Sequence, residues 1–142
     1  FSKPNVECPC CGWKGKSFLP NGVEVRVNSR CPKCDSLERH RMYYLYLKEN
    51  LPTDRTLKML HFAPERIMTA LFKSIKNIDY LSADLNPVKA MMMQDITNIT
   101  LPDNSFDFIL CSHVLEHVPD DHKGMTEVHR VLKPSGFAIL QV

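Results

Sequence analysis

Residues 106–119 read Phe-Asp-Phe-Ile-Leu-Cys-Ser-His-Val-Leu-Glu-His-Val-Pro. The stretch is entered through the turn Pro102-Asp103-Asn104-Ser105 and begins with the continuous apolar run Phe108-Ile109-Leu110-Cys111. A strand apolar on both faces belongs in a parallel sheet covered by helices on each side. At Ser112-His113 the apolar character stops, and polar groups appear where the strand should end. In open α/β sheets that carboxyl edge is where ligands sit. The stretch therefore predicts a buried strand over Phe106–Cys111, in an α/β protein with Ser112 and His113 beside a ligand.

The neighbouring segments fit the same plan. A helix is expected from about Pro119 to Leu132, with Met125, Val128 and Leu132 facing inward. Pro134-Ser135-Gly136 then turns into a strand over Phe137–Val142. Upstream, Thr56–Phe62 reads as the first sheet strand and Glu65–Lys76 as an amphipathic helix with Ile67, Leu71 and Ile75 on one side. Asp79–Asp84 reads as the second strand. Asp84 lies twenty-one residues past Ala63, and an acid at the end of strand two at about that interval is placed to accept both hydroxyls of a ribose. Leu85 follows it into the same edge. Only ten residues separate Asp84 from Asp95. A parallel crossover needs about a dozen or more, usually with a helix. The connection must be a turn, with Met91-Met92-Met93 as a short edge strand or plug.

Asp95-Ile96-Thr97, then LPDNSFDFILCSHVLEHVPD, then Glu127-Val-His-Arg-Val-Leu-Lys-Pro-Ser-Gly-Phe-Ala-Ile-Leu closely resembles the central part of class I S-adenosylmethionine (SAM)-dependent methyltransferases of the type 11 group. The resemblance covers roughly residues 57–142. It implies a Rossmann-like parallel sheet and SAM as cofactor. It also implies Asp95 and Ile96 at the adenine, and the loop after strand one with Ser112 and His113 at the methionine end. That loop departs from the family's pattern: His61 stands at its acidic place, and Ala63-Pro64-Glu65 stands where a G-x-G-x-G loop is usual. No glycine occurs between Gly22 and Gly124, so either Glu65 takes the amino-acid end of the cofactor or the loop no longer binds it. A group of zinc-ribbon methyltransferases is similar in carrying an APE-type loop. The family's sheet has two further strands, so the chain is expected to be a fragment truncated after strand five.

The N-terminal region has different chemistry. Residues 8–12 are Cys-Pro-Cys-Cys-Gly and residues 31–35 are Cys-Pro-Lys-Cys-Asp. Cys8/Cys11 and Cys31/Cys34 form two C-x₂-C pairs separated by nineteen residues, the spacing of a zinc ribbon. Two residues between thiolates let a tight turn aim both sulfurs at one tetrahedral Zn²⁺. Cys10 is a bystander in this reading, and disulfides in a secreted domain are the alternative. Val23-Glu-Val-Arg-Val alternates as a hairpin strand, and Trp13 and Phe18 supply the small core. Trp13, Lys14, Lys16, Arg26 and Arg30 interleave aromatic and cation as a nucleic-acid face does; a structural clip or protein-docking module is the blander reading. Asp35-Ser36-Leu37-Glu38 is a capping box for a helix with Leu37, Met42, Tyr44, Leu45 and Leu47 at its apolar positions. Arg39-His40-Arg41 is expected on its solvated face, and the helix is expected to join ribbon to sheet. The organisation is thus a ribbon over 1–35, a connecting helix over 36–55 and a methyltransferase domain over 56–142.

Composition narrows the function classes. The chain has 142 residues, 44% hydrophobic and 24% charged, with net charge +2, ordinary for a globular domain with an appendage. No apolar run reaches the roughly 18 residues of a membrane span, and the start carries no signal-peptide pattern; a cytoplasmic protein with no membrane partner is expected. Residues 1–50 hold nine Lys/Arg and five Asp/Glu, net +4, and residues 51–142 hold nine and eleven, net −2. That asymmetry is too mild for a committed nucleic-acid binder. His113-Val-Leu-Glu116-His117 also spells H-x-x-E-H, a metalloprotease motif, and is similar to the metal-holding E-x-x-E-H of small-RNA methyltransferases. Methyl transfer itself asks mainly for alignment and exclusion of water. The catalytic residue is therefore left open, with His113 and His117 as candidates. Two hypotheses stand: a methyltransferase acting on RNA, protein, glycan or a small molecule, and an inactive zinc-ribbon adaptor.

Overall fold

The computed structural model describes residues 4–142. The chain divides into two compact units between Pro52 and Thr53.

The first unit contains two small antiparallel hairpins and one helix. Strand β1 (Val6–Glu7) pairs with β2 (Lys14–Gly15), and β3 (Leu19–Asn21) pairs with β4 (Arg26–Arg30). Helix α1 spans Glu38–Asn50. The alternating Val23–Val27 stretch is not one strand. Gly22 takes φ 99°, so residues 22–25 form the turn and β4 begins only at Arg26. Val23, Val25 and Val27 are all exposed, so the alternation buries no face. Trp13 and Phe18 do pack, with ring centroids 5.7 Å apart, and the Trp13 ring lies directly over Gly15, where a Cβ would collide with it.

Helix α1 departs from its expected face. Its N-cap is Leu37, whose N–H donates to His40 Nδ1 at 3.1 Å. Asp35 does not cap, because it sits in a cysteine turn and accepts from Arg30 Nη1 at 2.7 Å. Met42 and Leu45 are exposed, whereas His40 and Arg41 are buried. Arg41 donates to the carbonyls of Ser36 (2.7 Å) and Ser29 (2.8 Å), and its guanidinium lies 4.0 Å from the Phe18 ring centroid. A buried cation persists only when its donors are satisfied; here the carbonyls and the ring do that. The expected solvated face is instead what ties α1 to the ribbon.

The second unit is a five-stranded parallel sheet. Its strands are β5 (Leu57–Phe62), β6 (Ile78–Asp84), β7 (Met92–Met93), β8 (Phe106–Ser112) and β9 (Leu132–Gln141). Their spatial order is β7-β6-β5-β8-β9, with every neighbouring pair parallel. Every residue of β8 is buried, as its apolar run requires. Helices α2 (Arg66–Ser74) and α3 (Asp121–Val131) supply the crossovers. The buried side chains of α2 are Met68 and Phe72, with Ile67, Leu71 and Ile75 only half-buried. The inner face of α3 is Gly124, Val128 and Val131, while Met125 is exposed. Residues 85–91 contain no helix, as the short connection demands. Helix α3 passes directly into β9, whose first residues bulge before Phe137 pairs with Phe108. Gly136 sits in that bulge, where a Cβ would lie 3.0 Å from each of three carbonyl oxygens. Among the described residues no helix is long and apolar enough to cross a membrane.

Candidate functional sites

The sheet's carboxyl edge is built around β5 and β8, the point where strand order reverses. Successive strands run outward from β5 on one side and from β8 on the other, opening a crevice between their loops. A cavity of about 170 Å³ lies there. One wall is Phe62 and Ala63 from the end of β5, with Asp84 and Leu85 from the end of β6. A second is Gln94, Asp95 and Ile96; the third is His113, Val114, His117 and Val118 after β8. Six of the nine residues expected at the cofactor therefore line one cavity: Ala63, Asp84, Leu85, Asp95, Ile96 and His113. Pro64, Glu65 and Ser112 do not line it; Ser112 is buried and its hydroxyl donates to Gln141 Oε1 at 3.1 Å. His117, a candidate from the sequence for the acceptor's proton, lines it too, whereas Phe62, Gln94, Val114 and Val118 were not singled out by sequence reasoning. Each neighbours a residue that was, so position along the strand ends is the signal that finds them.

Local hydrogen bonds orient the acids. Asp84 Oδ1 accepts the Asn86 N–H at 2.8 Å. Asp95 Oδ1 accepts both the N–H and the hydroxyl of Thr97 at 2.8 Å, and these bonds hold its carboxyl below the usual range. Each Asp thus keeps Oδ2 clear of these local bonds. His113 takes φ 55° and Ala63 φ 47°, so both loops leave their strands through the left-handed region that L residues seldom adopt. His113 Nδ1 lies 3.0 Å from Glu116 Oε1. The Glu116 carboxyl is held low by its own backbone N–H and, against some desolvation, by His113. His113, Glu116 and His117 do not form a ligand cluster: among the described residues the four ribbon cysteines are the only such group of three or more. Segment 115–117 is a single 3-10 turn and not the helix that the protease motif requires. His61, at the family's acidic place, is fully buried and meets the Tyr80 hydroxyl at 3.0 Å through Nδ1; it belongs to the core under α2.

In the ribbon, all five cysteines are free, against the disulfide alternative. Sγ of Cys8 is 3.7 Å from that of Cys34, Cys11 is 3.7 Å from Cys31, and all four lie within 4.8 Å of one another. Sulfurs about 2.3 Å from one tetrahedral ion stand about 3.8 Å apart, and a disulfide would need about 2.05 Å. The two turns repeat each other. Gly12 N–H donates to Cys8 O and Asp35 N–H to Cys31 O, while Cys8 N–H donates to Trp13 O and Cys31 N–H to Ser36 O. The buried Ser36 hydroxyl lies 3.3 Å from Cys8 Sγ and 3.2 Å from Cys34 Sγ. Burial pushes the Cys10 thiol up to about 12, and negative charge at Cys8 and Cys34 adds to it, so it stays protonated outside the cluster. Of the cations read as a nucleic-acid face, Lys14 pairs with Glu7, Arg26 with Glu38 and Arg30 with Asp35. Those charges are spent within the unit.

Residues 52–140 match the model of a family described as methyltransferase domain. A demethylmenaquinone methyltransferase from Staphylococcus epidermidis is 42% identical over 45 residues, which is 32% of this chain and 19% of that protein. A structure of a putative sarcosine dimethylglycine methyltransferase from Galdieria sulphuraria superposes with TM-score 0.63 at 22% identity, covering 73% of this chain and 45% of that one. The [4+2]-cyclase SpnF has the same fold, with TM-score 0.56 at 16% identity over 69% of this chain and 42% of its own. The chain thus spans less than half the length of these proteins.

Proposed function

Because the chain belongs to the methyltransferase-domain family, whose model spans residues 52–140, we propose that it is a SAM-dependent methyltransferase carrying a zinc-binding ribbon. The observation that carries the reading is the cavity at the strand-order reversal, walled by two carboxylates, Asp84 and Asp95, with apolar Leu85 and Ile96 beside them. An adenosine asks for that combination: an acid for the ribose hydroxyls and flat apolar contacts for the base. In this reading Asp84 binds the ribose, and Asp95 and Ile96 hold the adenine. Ala63 and His113, which line the cavity, stand at the methionine end.

Bound SAM supplies an electrophilic methyl on a sulfonium. The chain's own task is to hold the acceptor in line and keep water out. His113 and His117 line the same cavity and are the candidates to take an acceptor's proton. The missing glycines do not argue for an adaptor, since Ala63 makes the left-handed turn by itself and donates its N–H to Ala83 O at 2.9 Å. A cyclase on the same fold shows that fold alone does not fix a reaction; the acid pair is what favours SAM here. Cys8, Cys11, Cys31 and Cys34 hold a structural Zn²⁺, and four free thiols so placed suit a reducing cytoplasm. The acceptor is RNA, protein, glycan or a small molecule, and the ion-paired ribbon favours a structural or protein-docking role for that unit over nucleic-acid binding.

Isothermal titration with S-adenosylhomocysteine tests the cofactor reading. Saturable binding is expected; heat no different from buffer at millimolar ligand returns the adaptor reading.

A further inference from the structure

Ile99 is 4% exposed, and both of its backbone polar groups end on one side-chain pair of α3. Glu127 Oε2 accepts the Ile99 N–H at 2.8 Å, and Arg130 Nη2 donates to the Ile99 carbonyl at 2.6 Å. Glu127 and Arg130 are joined to each other by two 2.8 Å contacts. Arg130 Nη1 also reaches the Leu101 carbonyl at 3.1 Å and Asp103 Oδ1 at 2.5 Å. One guanidinium thus anchors three residues of the segment that joins β7 to β8. The segment's other end is the cavity wall Asp95–Ile96, three residues before Ile99. Nothing in the burial of α3 requires this arrangement. Its buried face is complete with Gly124, Val128 and Val131.

We propose that Glu127 and Arg130 are positioning residues for the nucleoside, a clamp that holds the Asp95–Ile96 wall at the height the ligand needs. The inference rests on the cofactor reading above. Its physical basis is geometric. A bidentate guanidinium fixes direction as well as distance, which an ammonium cannot do. A binding wall left to a free loop would have to be ordered at the moment of binding, with a loss of affinity.

The test measures S-adenosylhomocysteine affinity by calorimetry, and amide hydrogen exchange, in the wild-type chain and in Arg130→Met, Arg130→Lys and Glu127→Gln. Asp107→Asn serves as a control that destabilises the opposite edge of the sheet. Arg130→Met is expected to weaken binding about tenfold and to speed exchange at the 96–99 amides, with β5 and β6 unchanged. Arg130→Lys should fall between it and the wild type. The control should lose melting temperature without losing affinity. Should Arg130→Met not fold, Arg130→Lys and Glu127→Gln carry the same comparison. Affinity in the variants equal to wild type, or reduced no more than in the control, overturns the clamp and leaves the cofactor reading standing. A wild-type chain that binds no S-adenosylhomocysteine overturns both.

Discussion

Ala63 and His113 end adjacent parallel strands, and both turn away from the sheet with positive φ, 47° and 55°. The left-handed turn that a glycine loop would make at the first of these positions is made here by an alanine. A β-carbon in this region costs about 1 kcal/mol, held by the Ala63 N–H bond to Ala83 O. Ala63→Gly should therefore be neutral or slightly stabilising, within about 1 kcal/mol. Ala63→Val should cost more than 1 kcal/mol, since branched residues tolerate the region worst. Urea unfolding of the pair checks this; a valine variant as stable as wild type would contradict the assigned backbone.

Asp84 is predicted to be the larger of the two acid contributions to cofactor binding. Hydrogen bonds donated by two ribose hydroxyls to one carboxylate are worth roughly 1.5–3 kcal/mol, about ten- to a hundredfold in affinity. Asp84→Asn keeps an oxygen for the Asn86 N–H and so preserves the turn while removing the charge. Titration with S-adenosylhomocysteine should show the full loss in Asp84→Ala and a smaller one in Asp84→Asn. Equal affinity in all three proteins would remove Asp84 from the site.

At the far edge of the sheet, Asp107 is a buried carboxylate with three partners: Arg55 Nη1 at 2.7 Å, Lys133 Nζ at 2.8 Å and the Lys58 N–H at 2.9 Å. Burial pushes its pKa up, but Lys133, Arg55 and Lys58 outweigh that and bring it down to about 2. The folded value lies below the unfolded one of about 3.9. The stabilisation is therefore present above pH 4 and is lost as pH falls from 4 towards 2. Arg55 and Lys133 are partly exposed, and solvent screening brings the contribution to roughly 1–2 kcal/mol. Melting curves of Asp107→Asn should run below wild type at neutral pH and converge with it near pH 2. A constant gap across that range would mean the charge is not what matters.

Much of this was legible because strand physics writes itself plainly. An unbroken apolar run, Phe108–Cys111, has only one comfortable place, and acids stranded at strand ends have few reasons to be there. The ten residues between Asp84 and Asp95 were enough to rule out a helix. What stayed hidden was set by tertiary competition. Val23–Val27 alternates like a strand, yet Gly22 turns the chain and all three valines stay exposed. Arg41 is a surface residue by composition; only the fold brings two carbonyls and the Phe18 ring to it. Asp35 has the spacing of a cap, but the cysteine turn claims it first. Glu127 and Arg130 look like an ordinary i,i+3 helix pair, because their partners are backbone groups that sequence does not display.

Zinc is the last prediction, and it separates the units. The repeated turns place Gly12 and Asp35 at matching positions after the second cysteine of each pair, and both take the left-handed conformation, φ 71° and 61°. That geometry aims the 3.7 Å sulfur pairs at one centre. One Zn²⁺ per chain is expected from metal analysis, and Cys10→Ser should keep it. Cys31→Ser removes a ligand, and a ribbon this small takes most of its folding energy from the metal. It should therefore lose zinc and the protection of amides 6–36 while amides 57–62 and 106–112 stay protected. Chelation of the wild-type protein should do the same. Zinc retained in full by Cys31→Ser would reject the four-cysteine site. Loss of the sheet's protection along with the ribbon's would show that the two units do not fold independently.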